Sequence, residues 1–191
     1  MTADERRAVS PWNIANVLTV LRLALVPFFV VCLFLPGTGW RLAALAVFAV
    51  ASITDHLDGE LARRYGLITD FGKIADPIAD KALTGAALVC LSMLGELPWW
   101  VTIVILGREL AITVLRLVLI RLAVIPASYG GKVKTVLQLA AIALYLVPWV
   151  PDALRWTVMG AALVTTLVTG VDYVIRAVRL RGMARRAARG E

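Results

Sequence analysis

The sequence predicts an all-α integral membrane protein, a bundle of six transmembrane helices, and three observations predict it. Hydrophobic residues make up 60% of 191 positions, and the mean hydropathy of +0.83 is too apolar for a soluble domain of this size. The apolar residues fall into six segments, each near the ~20 residues needed to cross ~30 Å of hydrocarbon. Short clusters of helix breakers separate them.

Residues 1–12 are polar and mixed in charge, ending in Ser10-Pro11-Trp12, a helix start with an interfacial tryptophan. No signal-peptide pattern precedes the first span, whose apolar run is too long for an h-region, so it is expected to stay in the membrane. The spans read as about 14–35, 41–64, 73–94, 98–122, 131–149 and 153–177. The separators are Pro36-Gly37-Thr38-Gly39, the turn from Arg64 to Gly72, Gly95-Glu96-Leu97-Pro98, Ala127-Ser128-Tyr129-Gly130-Gly131 and Pro148-Trp149-Val150-Pro151-Asp152. Residues 13–177 thus read as one six-helix transmembrane domain and 178–191 as a basic tail, with no internal repeat or second domain. Cys32 and Cys90 lie inside apolar runs, where a thiol packs as a small hydrophobe.

With six spans, Arg6, Arg7, Arg63, Arg64, Lys73, Arg121, Lys132, Lys134 and the tail arginines fall on one side, while Arg41 and Arg155 fall opposite. The positive-inside rule then puts both termini in the cytoplasm of a multi-pass plasma (inner) membrane protein. The net charge of +7 is mostly this rim. It reads as a topology signal and a contact for anionic membrane lipids, not as a nucleic-acid surface.

Against this apolar background stands one acidic stretch, from Asp55 to Asp80. A carboxylate in or near hydrocarbon costs several kcal/mol and marks a functional site unless it is paired. At ~100° per residue, Asp55, Asp58, Gly59 and Ala62 share one helix face, and Asp76 and Asp80 stack a turn apart on the next helix. Folding the two helices together would gather four acids, whose repulsion one or two divalent cations would convert into binding. Hard oxygen donors without cysteine point to magnesium, manganese or calcium, and His56 points off the acidic face. Gly59 and Ala62 clear space for a helix or a ligand's phosphates, and Arg63 adds a phosphate-matching fork. A solvated loop with accidental acids would explain neither the periodicity nor the small residues.

All four acids fall in the expected cytoplasmic half. Arg22, Arg108, Arg116 and Lys134 lie at comparable or somewhat greater depth. Metals beside an arginine-rich pocket are what phosphoryl transfer requires, and within membrane reach the phosphates should belong to a lipid. Each cation also has a plainer reading: Arg22 and Lys134 could snorkel, and Arg108 could pair with Glu109 or an aspartate. A divalent-cation transporter would need polar groups along a path to both faces, whereas the outer halves are almost purely apolar. A non-enzymatic scaffold would tolerate loss of the aspartates.

The stretch Asp55-x2-Asp58-Gly59-x2-Ala62-Arg63-x8-Gly72-x3-Asp76-x3-Asp80 resembles the motif of the CDP-alcohol phosphatidyltransferases at all eight specified positions. The resemblance implies a six-helix fold, usually a homodimer, a site open to the cytoplasm and two divalent cations, Mg²⁺ or Mn²⁺, held by Asp55, Asp58, Asp76 and Asp80. It implies Asp80 as general base, and Asp58, Gly59 and Arg63, with Ala62 and Gly72 of the same motif, around CDP-diacylglycerol. Further positions extend it over about residues 13–146: Asn13-Ile-Ala-Asn16-x2-Thr19-x2-Arg22, Asp76-Pro77-x2-Asp80-Lys81, Arg108-Glu109 with Leu115-Arg116, and Gly131-Lys132-x-Lys134-Thr135-x2-Gln138. These are similar to the branch of the family that uses sn-glycerol 3-phosphate, and Ala15, where that branch commonly has proline, departs from it. The implied reaction joins CDP-diacylglycerol and sn-glycerol 3-phosphate, giving phosphatidylglycerophosphate and CMP. Arg22, Arg108, Arg116, Lys132 and Lys134 are candidates for the acceptor phosphate. Asn16, Thr19 and Arg22 could contact either nucleotide or acceptor. Inositol phosphate, or phosphatidylglycerol in cardiolipin synthesis, remains open as the acceptor.

Overall fold

The computed structural model describes the backbone of residues 14–65, 70–119 and 129–189, and the side chains of residues 17–55, 81–115 and 130–178. The described secondary structure is helical: α1 (Ile14–Phe34), α2 (Thr38–Tyr65), α3 (Asp70–Met93), α4 (Trp99–Leu119), α5 (Tyr129–Leu146) and α6 (Asp152–Arg189). The six apolar segments therefore become six helices, with ends close to the breaker clusters. Two described stretches, Val17–Phe34 and Asp152–Val178, are long and apolar enough to cross a membrane.

Local chemistry explains the ends. Gly37 takes φ of 111° between α1 and α2, a conformation that side-chain-bearing residues rarely adopt. Helix α3 closes on Gly95 at φ 74°. The Gly95 amide donates to the Ser92 carbonyl at 3.1 Å and the Glu96 amide to Leu91 at 3.0 Å, so the last carbonyls of the helix find partners and the chain reverses. Helix α5 stops at Leu146, three residues short of the expected end. Pro148 has no amide hydrogen to offer and biases Val147 away from helical backbone. Helix α6 runs through the basic tail to Arg189, because alanine, arginine, leucine and methionine there are strong helix formers.

The chain divides into two compact units, Met1–Cys90 with Leu146–Pro148, and Leu91–Tyr145 with Trp149–Glu191. In the first, α1 packs along α2. Ala44, Phe48 and Ala51 recur at helical spacing on α2 and are buried. The ring of Phe48 lies against Phe29 of α1, centroids 5.9 Å apart and tilted by 44°. In the second unit α4 packs along α6. Val101, Ile105 and Ile112 of α4 are buried, as are Met159, Ala162, Thr166, Gly170 and Ala177 of α6. Small residues on that α6 stripe let side chains of other helices lie close to its backbone. Ser92 and Thr102 satisfy each other in this unit, their hydroxyl oxygens 2.7 Å apart.

Candidate active site

The acidic stretch lies on two consecutive helices, as its periodicity requires. Asp55 and Asp58 sit one turn apart on α2, and Asp76 and Asp80 one turn apart on α3. The two helices are separated in sequence by residues 66–69, which lie outside the described residues. The side chains of Asp58, Gly59, Ala62, Arg63, Gly72, Asp76 and Asp80 lie outside the described residues, as do those of Asn16 and Arg116.

Asp55 is described. Its carboxylate forms an ion pair with Nη1 of Arg22, a residue one helix away that is 1% exposed. The guanidinium lends Asp55 a fixed partner, and a carboxylate held in this way is oriented for a ligand on its other side. Thr19 is also buried, three residues before Arg22 on α1. The hydroxyls nearest Asp55 in sequence turn back onto their own helix: Thr54 donates to the Val50 carbonyl at 2.5 Å and Ser52 to Phe48 at 2.8 Å. Among the described residues, the ion pair at this end of α2 is that of Asp55 with Arg22. Carboxylate donors in two turn-spaced pairs are a hard oxygen set, and their chemistry fits magnesium or manganese.

The second unit holds Arg108, Lys132 and Lys134 of the basic candidates. Glu109 Oε1 accepts from Arg108 Nη1 at 2.9 Å and from Lys134 Nζ at 2.6 Å, joining α4 to α5. All three side chains are largely withdrawn from solvent. The other end of the Arg108 fork, Nη2, donates to Thr169 Oγ1 of α6 at 2.8 Å. That hydroxyl donates in turn to the Thr165 carbonyl at 2.7 Å. One turn from Lys134, Gln138 is buried and its Nε2 has no hydrogen-bond partner among the described residues; the same holds for Thr166 Oγ1 on α6. Lys132 is exposed.

The structure therefore brings together Arg108 and Lys134, and separately Arg22 and Asp55. The pairing of Arg108 with Glu109, anticipated as its plainer role, is present. Sequence reasoning missed that Glu109 also ties down Lys134, and it missed Thr169 and Gly170. An acid adjacent to an arginine inside an apolar run was the available signal for the first. A hydroxyl beside a glycine in the middle of α6 was the signal for the second.

Comparison with known proteins assigns the chain to a family. The family model described as CDP-alcohol phosphatidyltransferase matches residues 12–168. The chain is 54% identical over 181 residues to the "Probable phosphatidylglycerophosphate synthase" of Mycobacterium tuberculosis (strain ATCC 25618 / H37Rv), covering 92% of this chain and 87% of the relative. It is 36% identical over 184 residues to the CDP-diacylglycerol–glycerol-3-phosphate 3-phosphatidyltransferase of Bacillus subtilis (strain 168), covering 85% and 93%. The protein of the same name from Escherichia coli (strain K12) is 40% identical over 147 residues, covering 74% and 79%. With the eight motif positions intact on α2 and α3, the chain belongs to the CDP-alcohol phosphatidyltransferase family.

Proposed function

We propose that this membrane enzyme transfers the phosphatidyl group of CDP-diacylglycerol to sn-glycerol 3-phosphate, releasing CMP. The observation that carries the reading is the uninterrupted Asp55-to-Asp80 motif on consecutive helices, in a chain more than half identical to a relative named for that product. The chemistry follows from the residue types. Asp55, Asp58, Asp76 and Asp80 would hold two divalent cations, Mg²⁺ or Mn²⁺, which when bound neutralise pyrophosphate charge and stabilise departing CMP. Asp80 takes the proton from the acceptor's primary hydroxyl. The hydroxyl oxygen bonds to the phosphorus that carries diacylglycerol, the pyrophosphate P–O bond breaks, and CMP leaves with the bridging oxygen. Asp58, Gly59, Ala62, Arg63, Gly72, Asn16 and Thr19 line the CDP-diacylglycerol site.

Arg108 and Lys134, with Arg22, Arg116 and Lys132, are the groups we assign to the acceptor phosphate. The convergence of Arg108 and Lys134 on Glu109 supports this reading, because two cations on different helices are held where a phosphate would bridge them. Arg22 has a second task in holding Asp55.

We further propose that all six helices cross the membrane, with both termini and the site cytoplasmic, and that the enzyme is a homodimer. Trp40, Trp99, Trp100, Trp149 and Trp156 are exposed; Trp40 lies at the end of α2 opposite Asp55, and in the six-crossing topology the other four would fall on the same membrane face as Trp40, as an interfacial aromatic belt would. Mass spectrometry of the lipid formed from CDP-diacylglycerol tests the acceptor directly. With glycerol 3-phosphate, inositol phosphate and phosphatidylglycerol supplied together, phosphatidylglycerophosphate is the expected product. Phosphatidylinositol phosphate or cardiolipin alone would keep the family and overturn the acceptor.

A further inference from the structure

We infer that Thr169 and Gly170 of α6 form the seat that presents Arg108, and are positioning residues for the acceptor phosphate; the inference rests on the assignment of Arg108 to that phosphate. Arg108 is fixed at three places. Nη1 donates to Glu109 at 2.9 Å and Nη2 to Thr169 at 2.8 Å. The third is the flank of the side chain, which lies on the bare backbone of Gly170. A Cβ at position 170 would stand 3.2 Å from Arg108 Nε and 3.3 Å from its Cγ, closer than side chains ordinarily approach. Gly107 and Gly160, on the same pair of helices, have open space where a Cβ would go. The close approach is therefore particular to position 170.

The arrangement has a chemical consequence. Arg108 Nε is buried and has no hydrogen-bond partner among the described residues, because it faces a helix whose amides and carbonyls are already engaged. Of the five N–H groups of a guanidinium, one on each terminal nitrogen is spent on Glu109 and Thr169. Among the described residues the second hydrogen of each terminal nitrogen has no partner, and it lies in a plane that Glu109 and Thr169 fix at both ends. A fork held in one orientation loses little freedom on meeting a phosphate, which is the advantage of arginine over lysine at such a place. The acidic partner sets orientation on one side and the hydroxyl on the other. Gly170 admits the side chain between them.

Kinetics of the full-length enzyme in detergent with Mg²⁺ and saturating CDP-diacylglycerol test this, using Gly170→Ala, Thr169→Val, Arg108→Ala and each of the first two combined with Arg108→Ala. Gly170→Ala and Thr169→Val should each raise the KM for glycerol 3-phosphate about tenfold, with a smaller change in kcat and in the KM for CDP-diacylglycerol. In the Arg108→Ala background neither should add a further rise, since both act through that side chain. A KM raised by Arg108→Ala but unmoved by both α6 variants would overturn the seat alone. Equal penalties with and without Arg108 would also overturn it, by showing that α6 matters for packing only. An Arg108→Ala enzyme with an unchanged KM for glycerol 3-phosphate would overturn the acceptor assignment, and the seat with it. If Gly170→Ala does not fold, Thr169→Val carries the same comparison, because it removes the acceptor for Nη2 and adds no bulk against Arg108.

Discussion

Glu109 accepts from two cations through a single oxygen, Arg108 at 2.9 Å and Lys134 at 2.6 Å. Its charge is what lets both approach within largely apolar surroundings. Glu109→Gln keeps the shape and removes the charge, leaving two like charges close together. The variant should unfold at lower temperature in detergent, with a stability loss of about 2 kcal/mol, and bind glycerol 3-phosphate less tightly by about tenfold. An unchanged KM would mean that the carboxylate does not hold the acceptor site. On the other unit, Asp80→Asn keeps the size of the side chain and removes its basicity. It should lower kcat by about a hundredfold or more with unfolding temperature near the parent's. Near-normal turnover would remove Asp80 from the role of base.

At the scale of helices, the turn after α3 offers a sharp test. Gly95 sits at φ 74° with nothing near the place of a Cβ, so Gly95→Ala isolates backbone strain from crowding. The expected cost is ~1 kcal/mol, read as a lowered unfolding midpoint with kinetics preserved; a neutral effect would show that the turn can rearrange. The six helices were legible because span length, apolar runs and breaker residues act locally, and the termini follow Pro36-Gly37, Gly95 and Pro148. The turn spacing of Asp55 with Asp58 and of Asp76 with Asp80 was legible for the same reason. The partnerships were not. Arg22 with Asp55 joins residues far apart in sequence, and Arg108 with Thr169 joins α4 to α6; helical periodicity says which face a residue occupies, not which neighbour faces it. Gly170 reads in the sequence as one more small residue in an apolar helix, and only the flank of Arg108 against it gives it a task.

For the whole molecule, the six-crossing topology makes a claim that chemical labelling can settle. Cys32 and Cys90 are free and buried, so the native thiols should be silent toward a membrane-impermeant maleimide. Thr38→Cys, at the exposed start of α2, should be labelled in intact cells, and Glu191→Cys only after permeabilisation. Labelling of both from the same side would contradict the topology, and with it the cytoplasmic placement of the aspartates. The proposed function divides the labour by where the charges sit: acids on α2 and α3 would act on the nucleotide-linked lipid, and cations on α4 and α5, with Arg22 of α1, on the water-soluble acceptor. The most direct test is release of CMP from CDP-diacylglycerol by the purified protein with Mg²⁺, measured with and without sn-glycerol 3-phosphate. The account predicts release that depends on the acceptor and saturates with it. Folded protein that releases no CMP when the acceptor is added would contradict it.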